Sequence, residues 1–161
     1  MIDVQYETFD VGAEQRAMLA GRCDIGAVVS FTGLVRDINE RPDVQGLILE
    51  HYSGMTEKAL NNIVCEAKAR WPLQAVRIIH RIGHLVPSDP IVLVMVASAH
   101  RRDAFLACDF LMDYLKTRAP FWKKEQTASG DYWVAERDSD QQDAKRWLGQ
   151  PQAGPCQEST V

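Results

Sequence analysis

Between Met55 and Trp71 an apolar residue falls every fourth position: Met55, Ala59, Ile63, Ala67 and Trp71, with Leu60 and Val64 widening the stripe. That period predicts a helix that buries one face. Ser53 or Thr56 is placed to cap its start, and Pro72 closes it. A second long helix follows Ser98-Ala99-His100-Arg101-Arg102-Asp103, with Ala104, Phe105, Cys108, Leu111, Met112 and Leu115 as its apolar set. Ile91–Ala97 is apolar at every position, the pattern of a central strand covered on both faces.

Shorter segments fill in around these three. Val4–Phe9 reads as a first strand and Glu14–Ala20 as a short helix. The β-branched run Ile25–Val35 is a strand with Gly33 near its end, where a missing side chain permits close approach. A polar loop from Arg36 to Asp43 leads to a strand over Gly46–Tyr52, and the two strands are most simply an antiparallel pair. Ala75–Ile82 is a further strand, followed by a loop from Gly83 to Pro90. Phe121–Thr127 and Tyr132–Arg137 flank the turn Ala128-Ser129-Gly130-Asp131 as a hairpin. Ser139 with Gln142 forms a capping-box pattern for a last helix ending near Leu148. The order β-α-β-β-α-β-β-α-β-β-α predicts a two-layer α+β domain over residues 1–148, with a largely antiparallel sheet and one hairpin unit standing apart. Residues 149–161 carry no core-forming period and read as a disordered tail.

Composition narrows the function classes. The chain has 161 residues, 46% hydrophobic and 25% charged, with formal net charge −4. The acidic balance argues against general nucleic-acid binding. No apolar run approaches the ~20 residues of a membrane span, and the start of the chain lacks the pattern of a signal peptide. Cys23, Cys65, Cys108 and Cys156 are scattered with no C-x-x-C, so neither zinc nor a dithiol is expected. A reducing cytoplasm is the expected compartment.

Against that acidic background, Lys116, Arg118, Lys123 and Lys124 fall within nine positions. Pro120 lies among them, lacks an amide hydrogen, and pushes Ala119 toward an extended conformation. The helix is therefore expected to stop near Thr117 and an extended run to begin near Phe121. Such a break can deliver cations from a helix end and from a strand to one pocket. At the other end of that helix, His100 and Arg101 sit where backbone N–H groups already favour an anion, and an arginine adds fork-shaped donors for phosphate. Arg36 follows a strand ending in glycine and is placed to project over a pocket mouth. His51, His80 and His84 read as structural or surface residues. No G-x-S-x-G, P-loop or G-x-G-x-x-G pattern is present, which removes serine catalysis and nucleotide hydrolysis.

The segments VVSFTGLVRD, LEHYSGMTEKAL, RWPL, IIHRIG, SAHRRDAF, MDYLKTRAPFWKKE and SDQQDAKRW, in this order, resemble the catalytic (large) subunits of molybdopterin synthases from about Phe9 to Leu148. The resemblance implies an α/β-hammerhead fold with an added β-subdomain. It also implies a homodimer at the centre of a heterotetramer, flanked by two small ubiquitin-like sulfur-carrier subunits. The carrier's thiocarboxylated Gly-Gly tail enters a pocket of the large subunit, and two sulfurs pass to cyclic pyranopterin monophosphate, giving the dithiolene of molybdopterin. By motif, Lys116 and Lys123 match the family's essential lysines, and Arg36, His100 and Arg101 its substrate pocket. Arg137 matches an arginine supplied across the dimer interface. No resident cofactor or metal is implied. Leu34 departs from the pattern, standing where many relatives carry a basic residue. Arg102 and Asp103 replace residues that are often small and polar. The alternative is a non-catalytic module that docks a ubiquitin-like tail or a phosphorylated small ligand.

Overall fold

A computed structural model describes residues 1–36, 44–128, 130–134 and 138–148. The all-apolar run forms β6 (Pro90–Ser98), whose residues from Val92 onward are buried. It lies inside a four-stranded sheet of order β1-β4-β6-β2, with β1 at Ile2–Gln5, β4 at Leu73–Arg81 and β2 at Ala27–Leu34. The pairings β2–β6 and β4–β6 are antiparallel, and β1–β4 is parallel. Alternate residues of β6 serve two cores. Val92, Val94 and Val96 face α2 (Met55–Arg70) and α3 (Arg101–Arg118), while Leu93 and Met95 meet Ile79 and, from around α1 (Val11–Leu19), Phe9, Val11 and Met18. This two-sided burial is what a strand with no polar alternation requires.

A second sheet, of order β5-β3-β7-β8, forms the added unit: β3 at Val44–His51, β5 at Gly83–Leu85, β7 at Phe121–Thr127 and β8 at Gly130–Val134. Every pairing within it is antiparallel. The chain is thus an α+β protein whose two sheets exchange strands. β2 pairs with β6 and β3 with β5 and β7, so the expected pairing of the strands on either side of the 36–43 loop does not form. The reason is β6, whose buried edge offers β2 a longer apolar ladder than β3 does. β5, read from sequence as loop, is a three-residue strand that tethers β3.

Local details follow from sterics and capping. A Cβ on Gly33 would lie 2.9 Å from Val92 Cγ1, so the strand's glycine is where β2 and β6 close on one another. The register shifts beside it, between Gly33 and Leu34. Gly54, rather than Ser53 or Thr56, is the N-cap of α2, and its N–H donates to Glu57 Oε2 at 2.6 Å. Thr56 joins the buried stripe of that helix, whereas Met55 is exposed. A fourth helix, α4 (Asp138–Lys145), starts two residues before the capping pattern would place it, so Ser139 lies inside its first turn. The 37–43 loop, Ser129, residues 135–137 and the 149–161 tail lie outside the described residues.

Candidate active site

The bend at Pro120 forms as the sequence demands. α3 ends at Arg118, Ala119 is extended (φ −88, ψ 126), and β7 begins at Phe121. Backbone contacts secure the turn: the Phe121 N–H donates to the Ala119 carbonyl at 2.9 Å. The buried Thr56 hydroxyl donates to the Pro120 carbonyl at 3.2 Å and accepts from the Tyr52 N–H at the same distance. Thr56 therefore ties α2 to the bend instead of capping its own helix.

Four cations leave this bend with different surroundings. Lys116, in the last turn of α3, lies 3.1 Å from Asp140 of α4. Arg118 pairs with Glu66 of α2 at 2.9 Å and covers the Tyr114 ring at 3.6 Å, so its role is to hold two helices together. Lys124 reaches Asp131 at 3.1 Å and sits over Trp133 across the β7–β8 hairpin. Lys123 lies on the opposite face of β7, that of Phe121 and the buried Glu125 and Thr127, and is itself exposed.

Beneath that face lies a histidine that the sequence reads as structural or surface. His80 of β4 is buried and stacks on Phe121 with ring centroids 3.7 Å apart and planes 14° from parallel. Its Nδ1 lies 2.8 Å from the Arg81 carbonyl, which can only accept, so Nδ1 carries the proton and Nε2 the lone pair. Burial lowers the His80 pKa to about 4; the bond to Arg81 opposes this, and the charges of Lys123 and His51 add to the lowering. A neutral ring thus joins the two sheets where the lysines emerge. The sequence signal for it was a single histidine after two isoleucines, in a strand that also carries Arg77 and Arg81 and so marks no role by itself.

Strand directions decide which predicted residues share an end of the molecule. In β2–β6, Leu34 lies opposite Pro90 and Ala27 opposite Ser98. In β4–β6, His80 lies opposite Val92. α3 turns back along this sheet from β6, bringing Lys116 toward the Pro90 end. Arg36, His80, Lys116 and Lys123 therefore belong to one end. Arg36 is exposed just beyond Val35, whose backbone is fixed by bonds to Asp89 (2.9 Å) and Ser88 (2.8 Å). Leu34 is also exposed there.

His100 and Arg101 lie at the opposite end. Fifteen helical residues separate Arg101 from Lys116, about 22 Å at ~1.5 Å per residue. His100 is the N-cap of α3, in extended conformation and without a side-chain cap bond, and both side chains are exposed. The junction below is rigid. The Ser98 hydroxyl donates to the Pro72 carbonyl at 3.2 Å and accepts from the His100 N–H at 3.3 Å. Gly26 passes so near that a Cβ there would run into the Ala99 carbonyl oxygen. Arg137 lies outside the described residues.

Two further features bear on chemistry. A groove of about 410 Å³ runs between the edge strand β2 and α3, lined in part by Val29, Phe31, Phe105, Cys108 and Met112. Burial pushes the Cys108 thiol up to about 11, so it is a packing group and not a nucleophile. Among the described residues, no three of His, Cys, Asp and Glu converge as metal ligands. No helix among them is long and apolar enough to cross a membrane.

Comparison with known proteins gives a consistent result. The sequence profile of the MoaE protein matches residues 4–118. The chain is 60% identical over 146 residues to the molybdopterin synthase catalytic subunit of Pseudomonas aeruginosa, covering 91% of this chain and 97% of that one. Among solved structures it superposes on the molybdopterin biosynthesis MoaE protein of Burkholderia ambifaria with TM-score 0.80 and 49% identity, over 93% of this chain and 99% of that one. Against the molybdopterin synthase of Staphylococcus aureus the TM-score is 0.75 and the identity 36%, over 82% and 95% of the two chains.

Proposed function

The chain belongs to the MoaE protein family, and from that premise we propose that it works as the catalytic subunit of a molybdopterin synthase. It is a sulfurtransferase of molybdenum cofactor biosynthesis. Its partner is a small ubiquitin-like carrier whose Gly-Gly tail ends in a thiocarboxylate. Its substrate is cyclic pyranopterin monophosphate, which receives two sulfurs and becomes the dithiolene of molybdopterin. The reading places the protein in the cytoplasm and includes no resident cofactor.

The observation that supports this reading is the Pro120 bend, from which Lys116 leaves a helix end and Lys123 a strand at one end of the molecule, the end to which Arg36 also belongs. A thiocarboxylate is anionic at neutral pH, so an ammonium can hold its sulfur against the substrate carbon. That turns a meeting of two macromolecule-borne groups into a positioned attack. Either lysine can exchange a proton as the cyclic phosphate opens. Arg36 offers planar, bidentate donors for the phosphate. Because the sulfur arrives on the carrier, no cysteine of this chain takes part, in keeping with a Cys108 thiol held protonated by burial.

Arg101 and Lys116 stand about 22 Å apart along the α3 axis, a wide gap for the side chains of one chain to close on a single pterin phosphate. A homodimer resolves this: a second copy brings cationic groups, Arg137 among them, to the lysines of the first. His100 and Arg101 then serve the pocket from a neighbouring surface.

The test is to mix the protein with thiocarboxylated carrier and cyclic pyranopterin monophosphate, and to measure molybdopterin as its fluorescent oxidised product. The wild-type chain yields product. Lys116→Ala and Lys123→Ala each lower the rate by at least about a hundredfold, the scale of a lost acid–base or charge-positioning group. Full turnover by both variants overturns the assignment of the lysines. Carrier binding without any product favours a docking module instead.

A further inference from the structure

Lys116 meets a carboxylate of its own chain: its Nζ lies 3.1 Å from Asp140 Oδ1. The segment that carries Asp140 is firmly docked. Trp147, just past α4, is buried edge-on against Trp71 and Phe110, and its indole N–H donates to Asp113 Oδ2 at 2.7 Å. Arg146 bridges Asp109 and Asp113 at 2.8 and 2.7 Å, and Arg70 of α2 donates to the Trp147 carbonyl at 3.2 Å. Asp109, Asp113 and Lys116 are spaced by four and three along α3, so they form one stripe, and the α4 segment touches that stripe at each of them. Asp140 is the sheltered member of its pair, with 22% of its side chain exposed against 47% for Lys116. A fixed element thus presents a carboxylate to the lysine, unlike two long surface chains that happen to meet.

We propose that Asp140 is a positioning residue for sulfur transfer, holding the Lys116 ammonium in place as its counter-ion and yielding it to the carrier's terminal anion. This rests on the function proposed above. The chemistry is an exchange of like for like. A carboxylate and a thiocarboxylate carry the same single charge, so the ammonium passes from one to the other without being left unpaired. A carrier that has given up its sulfur to the substrate, with water supplying the oxygen that replaces it on the acyl carbon, ends in a carboxylate; Asp140 competes with that carboxylate, and this competition speeds release of the spent carrier.

The experiment measures the Kd of carrier bearing an ordinary Gly-Gly carboxylate for the wild-type chain, Asp140→Asn, Asp140→Glu, Lys116→Ala and the Lys116→Ala/Asp140→Asn double variant. Steady-state kinetics with thiocarboxylated carrier run alongside. Asn is nearly isosteric with Asp and removes only the charge; unchanged thermal unfolding checks that α4 stays docked. The expected result is about two- to fivefold tighter binding in Asp140→Asn, the span of an exposed ion pair. KM for the carrier falls with it, kcat falls through slower release, and Asp140→Glu restores wild-type behaviour. In the Lys116→Ala background the Asp140 substitution has no further effect. Weaker or unchanged binding in Asp140→Asn, with Lys116→Ala still impaired, overturns the proposal while leaving the function intact. So does an Asp140 effect that persists without Lys116. Normal binding and turnover in Lys116→Ala instead removes the lysine from the site, so the proposal and that lysine's assignment fall while the sulfurtransferase reading stands.

Discussion

His80 is the residue whose environment has the clearest consequence for solution behaviour. Its folded pKa of about 4 lies below the ordinary value of 6.5, so the folded chain excludes a proton that the unfolded chain accepts. Stability from this group is fully present above pH 6.5 and is lost as pH falls from there through about 4. Denaturant unfolding across that range should show a loss of about 3 kcal/mol attributable to this ring. His80→Phe, which keeps a ring on Phe121 but cannot titrate, should flatten that acid limb. Lys116 and Lys123 could be singled out from sequence because clustered cations around a proline are unusual in an acidic chain, and Arg36 because it follows a strand that ends in glycine. The particular contacts of His80 and Asp140 could not be read there, since each depends on a partner on a distant segment, Phe121 and Lys116 respectively.

At the scale of elements, the site depends on how α3 stops and β7 starts. Proline ends the helix, but the direction of the strand after it is set by Thr56 on α2, through the bond to the Pro120 carbonyl. Thr56→Val keeps the side-chain volume and removes both hydrogen bonds of the hydroxyl. It should cost about 1–3 kcal/mol, because the part-buried Pro120 carbonyl and Tyr52 N–H lose their hydroxyl partner. Thermal unfolding measures that loss, and kcat should fall with it as the two lysines lose their fixed relation. An unchanged kcat in a destabilised Thr56→Val would show that the bend holds its shape without this tie. The helical stripes and the buried central strand were readable from periodicity, because burial on one face or on both leaves a repeat of its own. Which strand β2 would join was not, since neighbours in sequence offered β2 and β3 a plausible pairing that β6 displaced.

For the whole molecule, His100 and Arg101 stand at one end of α3 and the lysines at the other, so the proposed function makes oligomeric state part of the chemistry. Light scattering should return about twice the monomer mass of 18.1 kDa, rising when carrier is added. Dilution to monomer should abolish turnover before it unfolds the chain; an active monomer would refute a site shared between copies. The amino-acid sequence by itself determined the fold class, the helix break at Pro120 and the cationic character of the site, because periodicity, the missing amide of proline and net charge are properties of neighbouring residues. Tertiary structure alone decided that the two sheets exchange strands, that a neutral histidine supports the bend, that an aspartate meets Lys116, and that the two cationic groups stand a helix apart. Those outcomes turn on contacts between residues far apart in the chain, made when competing apolar faces are buried together, and no local pattern specifies which of them wins.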